Sequence, residues 1–397
     1  MKLLERKKYL DKLLNAFGTP DIKVITGVRR SGKSKLMELL KNHFETNSEY
    51  NVISVDFNKL IFEKLKDYHN LNKYIEERYI SGKSNILMID EVQMCEGFEL
   101  VINSLHASGN YDIYITGSNA FLLSSDLATL FTGRTFSIEV YPFSFKEFCE
   151  YYSYDNVDDA FDKYFLEGGF SGSYLYKNIE KKYDYINKDV YQTIIVRDLM
   201  RKYKIRNKEV LENLCNYMLD NISNLASSNN ITNYLNSNNN SITDKTISNY
   251  IKYLCDAFVF YKVGRYDLKG KKYLSTESKY YLCDPTIKYA KLGTKNIDYG
   301  KTYENMVAIE LKRRGYEIYV GKLYQKEIDF VAKKRNEQIY IQVSRNIDNE
   351  ETFKREITPL LQIKDAYPKM IITRTKHDST IYEGVHIVDI ARWLAND

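Results

Sequence analysis

Leu3, Leu4, Leu10, Leu13, Leu14 and Phe17 recur at helical spacing between charged residues and predict an amphipathic opening helix, ended by Gly18-Thr19-Pro20. Lys23-Val24-Ile25-Thr26 then reads as a short buried strand, Lys35 to Phe44 as a helix, and Asn51 to Phe57 as a second strand. Further strands are expected at Asn85 to Ile89 and at Asp112 to Thr116, separated by helical stretches. Short apolar strands alternating with helices predict an α/β fold whose parallel sheet is covered on both faces.

From about Ser144 to Asp198 the pattern turns helical, interrupted at Gly168-Gly169. Three helical patterns follow between Asn207 and about Lys262, the middle one broken by polar runs. Asn229-Asn230 and Asn236 to Asn240 read as loops or loose helix ends. Short β-prone pieces lie around Phe258 to Val263 and Lys272 to Leu282, and a further αβ region runs from Tyr299 to the end. No internal repeat is evident.

The first strand runs into Gly27-Val28-Arg29-Arg30-Ser31-Gly32-Lys33-Ser34, which fits the phosphate-binding loop at each fixed position. Glycines let successive backbone N–H groups turn toward phosphates, and the following helix adds its positive end. Gly27, Val28, Arg29, Arg30, Ser31, Gly32, Lys33, Ser34 and Lys35 are therefore expected to line ATP. Lys33 would bridge the β- and γ-phosphates, with the Ser34 hydroxyl on Mg²⁺. Ile86-Leu87-Met88-Ile89-Asp90-Glu91 supplies the second half: Asp90 is placed to hold Mg²⁺, and Glu91 to act as general base toward an attacking water.

Tyr114-Ile115-Thr116-Gly117-Ser118-Asn119 ends a third strand in small polar residues, and either Ser118 or Asn119 could orient that water. Thr132-Gly133-Arg134-Thr135 then offers Arg134, which in a homo-oligomer could reach a neighbouring subunit's γ-phosphate and stabilise charge in the transition state.

Composition changes this picture little. The 397 residues allow two to four domains, and 44% hydrophobic with 28% charged residues is globular usage. A net charge of +5 permits nucleic-acid contact without arguing for it. Cys95, Cys149, Cys215, Cys255 and Cys283 lie too far apart in sequence for a zinc or redox motif and read as reduced thiols. The N-terminus lacks a signal-peptide pattern, and no apolar run approaches the roughly 20 residues of a membrane span. A cytoplasmic protein with no membrane partner is expected.

Taken together, Thr26 to Ser34, Ile89-Asp90-Glu91-Val92-Gln93 and Ile115 to Asn119 resemble prokaryotic AAA-type ATPases of the AAA_14/DUF4143 family. Gly133-Arg134, Tyr141-Pro142-Phe143-Ser144-Phe145-Lys146-Glu147-Phe148 and Glu167-Gly168-Gly169-Phe170 continue the likeness, which departs at Ser171, where the family usually has proline. The resemblance implies a P-loop AAA core over residues 1–145, a helical lid over 146–206, a winged helix-turn-helix over 207–290 and a restriction-endonuclease-like domain over 299–397.

Within the winged helix, Thr243 to Leu254 resembles the third helix. Ile247, Ile251, Leu254 and Phe258 form its inner stripe, leaving Lys245, Thr246, Asn249 and Lys252 outside for a DNA groove or its phosphates. Winged helices also serve as protein-interaction modules, so that reading stays open. Arg197, Arg201, Lys202, Lys204, Arg206 and Lys208 would add to a DNA surface if they shared its face, or form a solvated helix face otherwise.

In the last domain, the nuclease resemblance places Glu304 and Asp329 at two acidic positions. Gln342 and Ser344 stand where a second strand acid and a lysine belong. A neutral amide binds Mg²⁺ weakly and serine supplies no ammonium, so the nuclease fold is expected without nuclease activity, although Arg345 could stand in for the lysine. The leading expectation is an Mg²⁺-dependent ATPase driving a switch or motor that acts on DNA or a protein partner. A slow-turnover ATP sensor and an ATP-dependent nuclease are the alternatives.

Overall fold

The computed structural model describes residues 4–117, 131, 133–237 and 242–396. Ser118, Asn119 and Thr132 lie outside the described residues, as does the Arg197 side chain. The chain divides into two compact units, Met1–Tyr141 and Pro142–Asp397.

In the first unit the order is α1 (Lys7–Asn15), β1 (Ile22–Thr26), α2 (Lys33–Glu45), β2 (Tyr50–Asp56), α3 (Tyr68–Glu76), β3 (Ser84–Asp90), α4 (Phe98–Ser108), β4 (Tyr111–Thr116) and β5 (Thr135–Glu139). The five strands run parallel in the order β2-β3-β4-β1-β5. Successive side chains of a strand point to opposite faces, and β1 shows the result. Ile22 and Val24 enter a core shared with α3 and α4, whereas Ile25 enters another shared with α1 and α2. Each such aliphatic side chain contributes about 1.5–3 kcal/mol on burial. Leu3 lies outside the described residues, and the opening helix starts at Lys7, past Leu4, because Arg6 takes a left-handed conformation at φ 49°.

The second unit opens with α5 (Phe145–Tyr152) and α6 (Val157–Glu167). The Ser144 hydroxyl accepts from the Glu147 N–H while the Glu147 carboxylate accepts from the Ser144 N–H, a capping box that starts α5. After α7 (Ile179–Tyr185) the helix widens to π-helical winding over Ile186–Tyr191 and Thr193–Leu199, then tightens again in α8 (Met200–Tyr203). There follow α9 (Lys208–Asp220), β6 (Leu225–Ala226), α10 (Ser228–Asn236), α11 (Asp244–Asp256), β7 (Phe260–Asp267) and β8 (Lys272–Leu282). Both β6 and β7 run antiparallel to β8. Ile247, Ile251 and Leu254 are buried as expected. Phe258 is not part of their stripe: α11 ends at Asp256, and Phe258 turns away at φ 55°, half-buried.

The chain closes with α12 (Thr286–Leu292), α13 (Tyr299–Arg313), β9 (Glu317–Leu323), β10 (Lys326–Lys334), β11 (Glu337–Val343), α14 (Glu350–Leu361), β12 (Lys369–Thr373), β13 (Thr380–Tyr382), β14 (Val385–Asp389) and α15 (Ile390–Ala395). An antiparallel β9-β10-β11 meander, then α14 crossing to parallel β12, is a restriction-endonuclease-like arrangement. Its sheet does not stop at β9. Arg265 to Asp267 of β7 pair in parallel with Val320 to Lys322, so one nine-stranded sheet runs β13-β14-β12-β11-β10-β9-β7-β8-β6.

Candidate functional site

Ligands of an open parallel sheet bind beyond the carboxyl ends of its strands. Those ends carry Gly27 after β1, Asp90 and Glu91 at the end of β3, and Thr116 at the end of β4. Because β4 runs between β1 and β3, its last residue stands between the glycine loop and the acidic pair.

Gly27 sits at φ 130°, and a Cβ there would run into the Val140 carbonyl, so the turn out of β1 admits only glycine. Gly32, at φ 100°, caps α2 and turns the loop into its first turn. That geometry gathers N–H groups and the positive helix end around an anion. Between them Arg30 holds φ 65°, and the buried Ser31 donates its N–H to the Val28 carbonyl at 3.2 Å. Lys33 is buried, its ammonium 2.9 Å from the Gly27 carbonyl and 3.1 Å from that of Val28. Lys35, by contrast, is exposed and pairs with Glu38 at 2.6 Å.

Asp90 is buried and accepts hydrogen bonds from the Thr116 and Ser34 hydroxyls. Burial pushes its carboxyl above the usual range, the two hydroxyls pull it back, and the charges of Glu91 and Asp56 push it up again. Ser34 and Asp90 therefore present hard oxygen donors side by side, with negative charge that a cation would neutralise. Glu91 takes a left-handed conformation at φ 55°, its N–H reaching the Thr116 hydroxyl at 3.2 Å and its carboxylate accepting from the Gln93 amide. A non-glycine residue in that region costs on the order of 1–3 kcal/mol, a strain met mostly at functional sites.

Three residues here escaped sequence reasoning. Thr116 joins both acids, and its signal was a polar residue closing the apolar run Ile113-Tyr114-Ile115. Gln93 holds Glu91 from within the matched motif. Arg6 had no signal among the basic residues of the N-terminus, yet its buried guanidinium donates to the Ser31 carbonyl at 2.8 Å and to that of Tyr141 at 2.9 Å.

Arg134 stands apart from all of these. It is exposed, and its carbonyl accepts from the Ile22 N–H at 2.9 Å, at the amino end of β1. The length of β1, about 16 Å at roughly 3.3 Å per residue, separates it from its own phosphate loop.

In the second unit Lys245, Asn249 and Lys252 are exposed and Thr246 half-buried on α11. The Tyr203 ring stacks on Tyr253 of that helix with centroids 3.5 Å apart, which brings the basic run alongside. Arg201, Lys204, Arg206 and Lys208 are exposed there.

The nuclease-like positions come together too. Glu304 is buried on α13, and Asp329 on β10 accepts from the Val343 N–H at 2.9 Å. Gln342 donates its amide to Glu356 at 2.9 Å and accepts the Asp329 N–H at 2.7 Å, while Ser344 bonds the Asn346 carbonyl at 3.0 Å. Arg345 lies over the Tyr299 ring, 4.7 Å from its centroid. The lysine of this cluster is Lys279, from β8, which the sequence placed in the winged helix and gave no role. Its ammonium lies 2.8 Å from Glu304. Burial pushes Glu304 up to about 8 against the pull of Lys279, whose own ammonium the surrounding carboxylates keep charged.

Among the described residues no helix is long and apolar enough to cross a membrane. An AAA domain family matches residues 19–149, a domain of unknown function (DUF8612) residues 158–298, and a second (DUF4143) residues 299–393. An uncharacterised protein of Haemophilus influenzae is 36% identical over 399 residues, covering 99% of this chain and 98% of that one. An uncharacterised protein of Methanocaldococcus jannaschii is 30% identical over 354 residues, covering 85% of this chain and 77% of its own. Among solved structures, the Aeropyrum pernix ORC1 protein in complex with DNA covers 73% of this chain and 92% of its own at 11% identity, and with a TM-score of 0.34 overlays loosely. With the phosphate loop, the acidic pair and the intervening strand in place, and with a relative matched end to end, the chain belongs to the prokaryotic AAA-type P-loop ATPases of the AAA_14/DUF4143 family.

Proposed function

We propose that this protein is an ATPase that hydrolyses ATP with Mg²⁺ and uses the cycle to drive a switch or motor acting on DNA. The observation that carries the reading is the Ser34–Asp90–Thr116 link, which sets a magnesium-type donor pair beside the phosphate loop with Glu91 on the adjoining residue. Backbone N–H groups from Gly27 to Ser34 would cradle the phosphates, Lys33 would neutralise the β- and γ-phosphates, and Ser34 and Asp90 would hold the metal. Glu91 would take the proton of the attacking water. Arg134, remote from its own loop, can serve only a neighbouring copy, so the reading includes a homo-oligomer in which it stabilises the transition state in trans.

DNA is favoured as the target because Arg201, Lys204, Arg206, Lys245 and Lys252 are exposed and the Tyr203–Tyr253 stack links the two segments that carry them. Five cysteines held as thiols, none in a disulfide, suit a cytoplasmic setting. The deciding experiment is steady-state phosphate release by wild type, Lys33→Ala and Glu91→Gln, with and without DNA over a salt series. Turnover lost in both variants, and stimulated by DNA in a salt-sensitive way, is the expected result. No hydrolysis under any condition would sink the ATPase. Hydrolysis indifferent to DNA would redirect the switch to a protein partner.

A further inference from the structure

The second unit holds a cluster of buried charge that the ATPase does not use. Lys279 enters it from β8 of the winged helix, and its ammonium lies 2.8 Å from Glu304 on α13, 2.7 Å from Glu327 and 3.5 Å from Asp329, both on β10. The lysine side chain is 5% exposed and that of Glu304 10%. The Tyr281 hydroxyl, also from β8, donates to the same Glu304 oxygen at 2.7 Å. Carboxylates from two different elements thus converge on one nitrogen.

An enzyme of nuclease-like architecture places a divalent cation between such acids, where it activates water and stabilises the leaving group. Magnesium and calcium hold their oxygens at about 2.0–2.6 Å. With Lys279 in place the oxygens stand 2.7–3.5 Å from its ammonium, and among the described residues no group of three or more His, Cys, Asp or Glu is arranged to hold a metal ion. Gln342, in the position of the second strand acid, is held by Glu356 and the Asp329 N–H. A lysine that assists catalysis would stand beside a metal-bound water; this one takes the centre of the acids itself.

We propose that Lys279 is the resident cation of this pocket, its ammonium standing where a divalent metal would otherwise bind, so that the pocket is a metal-free ionic clamp joining β8 to α13 and β10. Taking the ammonium away leaves the Glu304, Glu327 and Asp329 carboxyl groups facing one another, with no cation to balance whichever of them ionise. That arrangement recruits a cation from solution.

The test is Mn²⁺ binding, followed by electron paramagnetic resonance without nucleotide, in the full chain carrying Lys33→Ala to silence the phosphate loop. That parent is expected to take up no Mn²⁺ at stoichiometric levels. Adding Lys279→Met is expected to create one site per chain, lost again with Glu304→Gln. In EDTA the Lys279→Met chain should melt several degrees below the parent, and Mn²⁺ should raise its melting temperature, because a ligand bound only by the folded state stabilises it. A Lys279→Met chain that folds only when Mn²⁺ is supplied supports the proposal equally. Should that variant fail to fold at all, the parent and Lys279→Arg, which keeps a cation in the pocket, still decide. Mn²⁺ bound by either and lost with Glu304→Gln overturns the proposal, as does a folded Lys279→Met chain that binds none. Cleavage of DNA by the parent in Mn²⁺, abolished by Glu304→Gln, would overturn it as well.

Discussion

The two carboxylate sites of this chain solve one electrostatic problem in opposite ways. At the carboxyl edge of the first sheet, Asp90 is met by the hydroxyls of Ser34 and Thr116, which orient the carboxylate and leave its charge in place. In the second unit, Glu304, Glu327 and Asp329 are met by the Lys279 ammonium, which brings its own positive charge into the pocket. Neutral donors prepare a carboxylate for a visiting cation, whereas an internal ammonium displaces one. The two sites thus differ in partner type more than in the number of acids.

Substitutions can break or sharpen that contrast. The largest effect is expected from Arg134→Ala, which should lower turnover by about 10³–10⁵-fold while ATP still binds. Mixing it with a Lys33→Ala chain should restore part of the rate, since each copy then supplies what the other lacks; no rescue would argue against a shared site. Glu91→Gln should cost about 10²–10⁴-fold in the chemical step, read as single-turnover hydrolysis with nucleotide affinity unchanged.

A third test addresses the other acid site through pH. Glu304 has its carboxyl raised from 4.5 to about 8 by burial. Between those values the folded state binds more protons than the unfolded one, so stability falls as pH rises through the window. Urea melts should show that fall, on the order of a few kcal/mol, and Glu304→Gln should flatten it. Thr116→Val removes a donor to Asp90 and the acceptor for the Glu91 N–H, and should cost about 1–3 kcal/mol in the same assay. Smallest is the DNA surface: Lys245→Ala and Lys252→Ala should each reduce the salt slope of DNA binding by about 0.9. Unchanged slopes would remove α11 from contact with phosphates.

The first sheet was legible because its signals are local. A buried strand running into Gly27-to-Ser34, or ending in Asp90-Glu91, carries both its structure and its chemistry within a few residues. The start of α1 was misplaced because apolar spacing extends through Leu3 and Leu4, while Arg6 breaks the helix through a backbone conformation that periodicity does not encode. Phe258 kept the helical period by coincidence after the chain had left the helix at Asp256. Lys279 was invisible for a stronger reason. Its partners are 25, 48 and 50 positions away, brought together by the pairing of β7 with β9 and by the Leu282–Asn305 hydrogen bonds that tie β8 to α13. Thr116 and Arg6 likewise act across sequence distance, through a strand order that no single segment reveals.

The parallel pairing of Arg265 to Asp267 with Val320 to Lys322 has a practical consequence. The family segments 158–298 and 299–393 meet between α12 and α13, a tempting place to cut. A chain ended there would strip β7 of its neighbour and leave a raw sheet edge, an open template for aggregation. It would also strand the Lys279 ammonium without Glu304, Glu327 and Asp329. The two segments are therefore expected to express well only as one piece, whatever boundary the family matches draw between them.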